Sequence, residues 1–408
     1  MVLEEEVIKG QYFWYMFGLA SFVISMGLQM VLFPWLIVVE LNESAQSLGF
    51  AQMSTQLPGL SLILFGGLLA DRVDPRKILI AVSCLVAISP MMLVYFIAED
   101  KLSYEILIVY ALLVGAGTAF IQPARDSLLN VVANGDLQKT VTVSMGLGFA
   151  GQGLGFFIAS FAEVSGPIML LALQSSFFLL SALAGMMLLP ASLKSPLVSS
   201  PALSEIKAGI KIVFGSEHLR PTFILLTFMS MFFGGTFMVV NPIIIRDIYE
   251  GGAREISMSF GVFMLGTVII SVLLVATGGI KNQGRALLLA ITGGVLFLGS
   301  TSQHLSFSGY LTALFCWGLC GGIAMSMGRS IMQIHAPELY RARVIAFFSI
   351  ANLGGMPIGA MIMGYSIGQI GPLNSIYVSV SGIAIAAIVV NFTSNLASNN
   401  ISKPSTLN

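Results

Sequence analysis

The stretch Gly66–Lys77 reads GGLLADRVDPRK, and the chain is organised around it. A long apolar run, Met53–Ala70, stops at Asp71. A charged turn follows, with Asp71, Arg72, Asp74, Arg76 and Lys77, and a second apolar run, Ile78–Ala98, begins at once. Two segments of bilayer-spanning length are thus joined by a tight, mostly basic hairpin. Its charges can lock one helix end against a neighbour at headgroup level. Alternatively, Arg72, Arg76 and Lys77 only set topology.

Composition points the same way. Of 408 residues, 56% are hydrophobic and 9% charged, with mean hydropathy +0.91. A soluble domain carries about 25% charged residues, so this chain cannot cover a water-facing surface and reads as an integral membrane protein. A formal net charge of zero argues against a nucleic-acid partner. Cys84, Cys316 and Cys320 lie inside apolar runs and suggest no disulfide framework. With His218, His304 and His335 scattered, no metal or cofactor spacing exists. The N-terminus, MVLEEEVIKGQYFWY, is acidic, and the apolar run behind it exceeds a signal peptide's core. The first helix is expected to act as its own insertion signal.

Apolar stretches of spanning length fall at about 12–39, 47–70, 78–98, 104–129, 139–162, 167–189, 221–246, 256–279, 285–303, 308–334, 343–369 and 372–392. Twelve spans put both termini on one side. The N-terminus, the even-numbered links and the C-terminus hold 16 of the 19 Lys and Arg residues, so both ends are expected in the cytoplasm.

The link after the sixth span, Pro190–Pro221, is the longest. In its second half Ile206, Ile210 and Val213 form one stripe beside Lys207 and Lys211, with Ser204 as a candidate cap. This predicts an amphipathic helix on the cytoplasmic membrane surface, or a recognition segment for another protein. The domains expected are a six-helix bundle over 1–190, a linker over 191–220, and a second bundle over 221–408.

The two halves repeat. A shift of 204 residues pairs Gly117 with Gly321, Arg125 with Arg329, Gly151 with Gly355 and Gly155 with Gly359. A shift of 208 pairs Phe33-Pro34 with Asn241-Pro242. The hairpin GGLLADRVDPRK has a worn counterpart in GGIKNQGRALL, Gly278–Leu288. Such repeats imply an axis along the membrane normal and a cavity between halves, the geometry of alternating access. The fold class expected is an all-α membrane protein of twelve transmembrane helices in two pseudo-symmetric six-helix bundles.

The hairpin resembles the loop signature between helices 2 and 3 of the major facilitator superfamily, Gly-x-Leu-Ala-Asp-Arg-x-Gly-Arg-Lys. Gly67, Leu69, Ala70, Asp71 and Arg72 fit it, Asp74 replaces its second glycine, Pro75 its first basic residue, and Arg76 fills the second. The Asp-Arg-x-Asp variant, FPWLIVVELNES after Leu32, PARDSLL from Pro123 and RVIAFFSIANLGGMPIGAMIMG from Arg343 resemble the branch containing enterobactin and macrolide exporters. The resemblance implies that Asp71 closes a cytoplasmic gate against the start of helix 11, an anion at a positive helix end. A solvated loop carboxylate is the plainer reading. Gly67, Arg72, Arg76 and Lys77 belong to the same loop. Arg125 and Asp126, at the cytoplasmic end of helix 4, would share a charge network with Arg76, or Arg125 snorkels to headgroups.

Gly151 and Gly155 make a small-xxx-small face for close helix approach. They resemble the antiporter signature Gly-Pro-x-x-Gly-Gly, with Gln152 for its proline and Phe156 for its last glycine. Helix 11 carries Gly355, Pro357 and Gly359. Proton-coupled members often carry an arginine where this chain has Ala111. No ionisable residue falls near mid-membrane depth, so Glu40 and Asp126 are the nearest coupling candidates, and each also reads as a boundary residue. Mid-depth offers Gln29, Phe33, Gln122, Phe237, Asn241 and Asn352. Each amide either binds substrate or bonds a neighbouring helix. Pro34 and Pro242 free carbonyls for a ligand or a hinge.

The resemblance implies a multi-pass transporter of the bacterial inner membrane, monomeric, embedded in lipid and without cofactor. Its implied task is efflux of a bulky, amphipathic drug- or siderophore-like molecule in exchange for protons. The same fold can serve as a lysophospholipid flippase. A membrane enzyme would need converging nucleophile, base or metal ligands, and an ATP-driven pump a phosphate-binding loop; the sequence offers neither.

Overall fold

The computed structural model describes residues 2–133, 137–190, 202–337 and 340–396, with backbone alone at some helical positions, Gly67, Asp71 and Arg72 among them. Every regular element in these residues is helical. The first half holds α1 (Val2–Trp35, extended by a π-helical turn, Leu36–Glu40), α2 (Ala45–Arg72), α3 (Pro75–Ala98), α4 (Tyr104–Val132), α5 (Leu137–Ala159) and α6 (Pro167–Met186). The second holds α7 (Leu219–Tyr249), α8 (Ala253–Ala276), α9 (Gln283–Ser300), α10 (Phe307–Ile334), α11 (Arg341–Ile370) and α12 (Pro372–Thr393). Among the described residues eleven of these are long and apolar enough to cross a membrane, and α2, 28 residues long, fills the twelfth expected place.

The repeat is written into backbone conformation. Asn42 and Glu250, 208 positions apart, both take a left-handed conformation (φ 49° and 50°) just beyond α1 and α7. Gly166 and Gly371 (φ 77° and 82°) precede Pro167 and Pro372, which open α6 and α12. A residue with a side chain would be strained at those two positions, and proline suits the first helical turn that follows. Asp74 caps α3 by accepting from the N–H of Arg76 at 3.0 Å, and Asn282, again 208 positions on, caps α9 by accepting from Arg285 at 3.1 Å. Both prolines of the paired α1/α7 motif adjoin widened turns: Leu36–Glu40 follows Pro34, and Ser230–Gly234 and Thr236–Val240 precede Pro242. A ring without an N–H, crowding the carbonyl four residues back, favours the widened turn Thr236–Val240 just before Pro242.

Contacts divide the chain into two compact units. The first comprises Met1–Glu43, Ser54–Val198 and Glu250–Met258; the second comprises Ser44–Met53, Ser199–Tyr249 and Ser259–Asn408. The start of α2 thus falls in the second unit and the start of α8 in the first. Within the first unit α1 packs on α5 and α6, and α3 on α4 and α6. Within the second α7 packs on α11, and α9 on α10 and α12. The paired glycines set both close approaches. A Cβ at Gly27 would lie 2.5 Å from the Gln152 carbonyl oxygen, and one at Gly235 2.5 Å from the Gly359 carbonyl carbon. Backbone therefore meets backbone along α1–α5 and α7–α11, as small-residue faces allow.

The linker helix, Ala202–Gly215, differs from its expected form. It begins two residues before Ser204, which therefore lies inside the first turn rather than capping it. Its stripe is split: Val213 is fully buried and Gly209 rests on the ring of Phe347 in α11, while Ile210 is exposed. The helix docks on α11 through the face bearing Gly209 and Val213.

Candidate functional site

The hairpin that opens the sequence is built around Asp74 and Pro75. These residues supply an N-cap and a first-turn proline, a standard helix start. Both departures from the family signature therefore have a place in the helix start. Arg76 donates from Nη1 to the Leu188 carbonyl at 2.7 Å, tying the start of α3 to the end of α6, and Lys77 is exposed. Gly67, Asp71 and Arg72 lie on α2 with side chains outside the described set, so their expected gate contacts do too.

Arg125 is 4% exposed and turned into the bundle. Its guanidinium lies 3.9 Å over the ring of Phe22 and donates from Nη2 to Ser181 Oγ at 3.0 Å and to the Gly18 carbonyl at 3.3 Å. Tyr15 donates its hydroxyl to the Arg125 carbonyl at 3.3 Å. A small cavity beside the guanidinium, lined by Trp14, Tyr15, Ser181 and Leu188, has room for about one water molecule. Asp126 accepts from Gln122 Nε2 at 3.2 Å, and both are exposed. Arg76 and Arg125 thus reach different acceptors on α6 and its C-terminal end.

The mid-depth residues divide by environment. Gln29 and Phe33 are buried; Phe33 packs on Tyr110 at 5.7 Å between ring centres. Gln29 Oε1 and the indole N–H of Trp35 have no partner among the described residues. Tyr110 in turn accepts from Gln174 Nε2 at 2.8 Å. At the position paired with Phe33, Asn241 is 2% exposed, accepts from the Tyr310 hydroxyl at 2.7 Å and donates to Ser259 Oγ at 2.9 Å. Each half thus joins the residue before its proline to a tyrosine of α4 or α10. Pro242 leaves the Met238 carbonyl without its usual helical donor, and Gln52 Nε2 approaches it at 3.4 Å. Asn352 is half-buried, and its carbonyl accepts from Ser230 Oγ. Pro357 is buried within α11, and Glu40 is exposed at the end of α1. Beyond α10, the rings of His335 and His218 lie 4.2 Å apart; burial, with His218 beside it, holds the His335 imidazole below its usual pKa.

Tyr310→Phe is expected to leave the buried Asn241 oxygen unpaired and to cost about 1–3 kcal/mol. Thermal unfolding in detergent reads this as a lowered Tm, and an unchanged Tm would show that the bond contributes nothing.

Phe237 is half-buried and gathers an aromatic cluster. Its ring centre lies 4.6 Å from those of Phe260 and Phe263 and 6.2 Å from that of Trp317, and Phe263 stands 4.9 Å from Trp317. Phe260 and Trp317 are buried beneath, while Phe263 is half-buried like Phe237. Sequence reading found Phe237 by depth but not its partners, which stand on α8 and α10.

Among the described residues, twelve long helices in two repeated sets define a polytopic membrane protein. The family model described as Major Facilitator Superfamily matches residues 15–360, and the chain belongs to that superfamily as a secondary transporter. Similar solved structures include the nucleoside transporter NupG (11% identity, covering 95% of this chain and 98% of that one, TM-score 0.76). An auto-inhibited POT family peptide transporter follows (11%, 98% and 99%, TM-score 0.72). A bacterial homolog of the human lysosomal transporter Spinster is also similar (13%, 98% and 99%, TM-score 0.68). Likeness at such identities is one of fold. No curated protein sequence matches the chain.

Proposed function

We propose that the chain exports a bulky, amphipathic, weakly charged small molecule, drug- or siderophore-like, by alternating access in exchange for protons. It acts as a monomer in the bacterial inner membrane with both termini in the cytoplasm. The observation that carries the substrate class is the Phe237–Phe263 surface on Trp317 and Phe260, an aromatic face of two half-buried rings backed by buried ones. Such a face stacks on planar or apolar ligand parts. The neutral amides and the scarcity of mid-span charge favour weakly charged cargo over sugar phosphates or carboxylates.

The test is flux in liposomes holding purified protein under an imposed pH gradient, with labelled macrolide, tetracycline-like, catecholate and lysolipid compounds. Gradient-driven flux of one soluble compound is expected. Asp71→Asn should abolish it, whereas Phe237→Ala should raise KM about tenfold, the cost of one aromatic contact of about 1.4 kcal/mol. Flux of lysolipid alone, indifferent to the gradient, would overturn proton-driven efflux in favour of a flippase.

A further inference from the structure

Glu163 is the only ionisable residue between Lys139 and Lys194. It stands in the four-residue helix Ala162–Ser165 between α5 and α6, on the face that the basic-residue count assigns to the outside. Its Oε1 accepts from the N–H of Ala253, the first residue of α8, at 3.0 Å. The N–H of Gly252 goes instead to Glu255 Oε2 at 2.9 Å. Two opening N–H groups of α8 therefore end on carboxylates, one local and one 90 residues away. Gly252 has no side chain with which to cap its own helix, and a Cβ there would overlap Glu163 Oε1. The glycine admits the distant carboxylate, which also meets the positive end of the helix dipole.

Around this contact Ala253 and Ile256 are fully buried, and Glu250–Met258 belongs to the first unit while α8 from Ser259 onward belongs to the second. Glu163 itself is exposed, so protons in the solvent reach it. No cation pairs with it among the described residues. The charged residues on the approaching turn are Glu250, Arg254 and Glu255, and the α5–α6 segment brings none besides Glu163. The reciprocal exchange is uncharged. Residues 44–53 contain no ionisable group, and the start of α2 meets α11 through Gly49, Gly364 and the contact of Gln46 with Gly368.

We propose that Glu163 is a proton-responsive latch: ionised, it holds the first turn of α8 in the first unit, and on taking a proton from the outer solvent it releases that turn. The hydrogen bond then loses its charge-assisted character and the dipole loses its anion. The inference rests on the proton-driven transport reading above and gives the proton an entry point where the spans offer none.

Spin labels at exposed Val164 and Met258, in a chain with Cys84, Cys316 and Cys320 replaced by serine, report the separation of this turn by pulsed electron paramagnetic resonance. One short distance is expected at neutral pH. A longer population should grow several-fold as the pH is lowered. Glu163→Gln should lose the pH response, and Glu163→Ala should show the longer population at every pH. An unmoved distribution in the parent, or a surviving pH shift in Glu163→Gln, would overturn the latch. The measurement needs no substrate, so absent flux beside an intact pH response would count against the transport reading alone.

Discussion

Gly359→Val is expected to prevent stable packing of α7 on α11, at a cost of about 3 kcal/mol or more. A Cβ at Gly359 falls well inside van der Waals contact with the Met231 carbonyl, and the neighbouring Gly235 already approaches the Gly359 backbone. The obstacle is main chain on both sides, so no side-chain rotamer relieves it. Gly355 is nearly as confined, with a Cβ placed 2.5 Å from the Thr227 carbonyl and 2.7 Å from the Met231 nitrogen. Gly354 supplies the control. A Cβ there meets nothing closer than Ile350 at 4.0 Å, on its own helix, so Gly354→Ala should be neutral or stabilise by up to about 1 kcal/mol. Monodisperse yield after detergent extraction and Tm distinguish the cases. Equal losses at 354 and 359 would mean that generic glycine flexibility in α11 matters, not the contact with α7.

The same residues show how far the sequence could be read. Spanning runs, basic links and the 204- and 208-residue shifts were legible because a bilayer imposes composition directly on each helix. The shifts proved more informative than the glycine matches alone suggested. They locate the left-handed Asn42 and Glu250 and the capping Asp74 and Asn282, which occupy the same place in each half. Asp74-Pro75 was locally readable as a helix start, but comparison with the family signature cast both residues as substitutions. Partnerships were not legible. Asn241 with Tyr310, Gln174 with Tyr110 and Glu163 with Ala253 join residues 64 to 90 positions apart. Only packing brings them together. Ile210 failed for a related reason: a stripe on a helical wheel marks an apolar face without saying which part of it α11 covers.

Arg125 offers the other large effect, because its burial separates an anchored guanidinium from one that snorkels to headgroups. Arg125→Ala is expected to cost about 3–5 kcal/mol: it removes the contact over Phe22, empties the stem's volume and loses the hydrogen bonds to Ser181 Oγ and the Gly18 carbonyl. Arg125→Met keeps most of the volume and should cost less, about 1–3 kcal/mol for the hydrogen bonds lost. Arg125→Lys should resemble the methionine variant rather than the parent, since one ammonium cannot lie flat on Phe22 while reaching both oxygens. A double-mutant cycle with Phe22→Leu should return a coupling of about 1 kcal/mol. A headgroup-seeking arginine predicts the reverse: lysine as good as arginine, alanine nearly neutral, and no coupling to Phe22. Thermal unfolding of these variants, the double mutant included, in one detergent decides between these patterns, because an anchor inside the bundle contributes through its fixed geometry and a snorkelling charge through its sign alone.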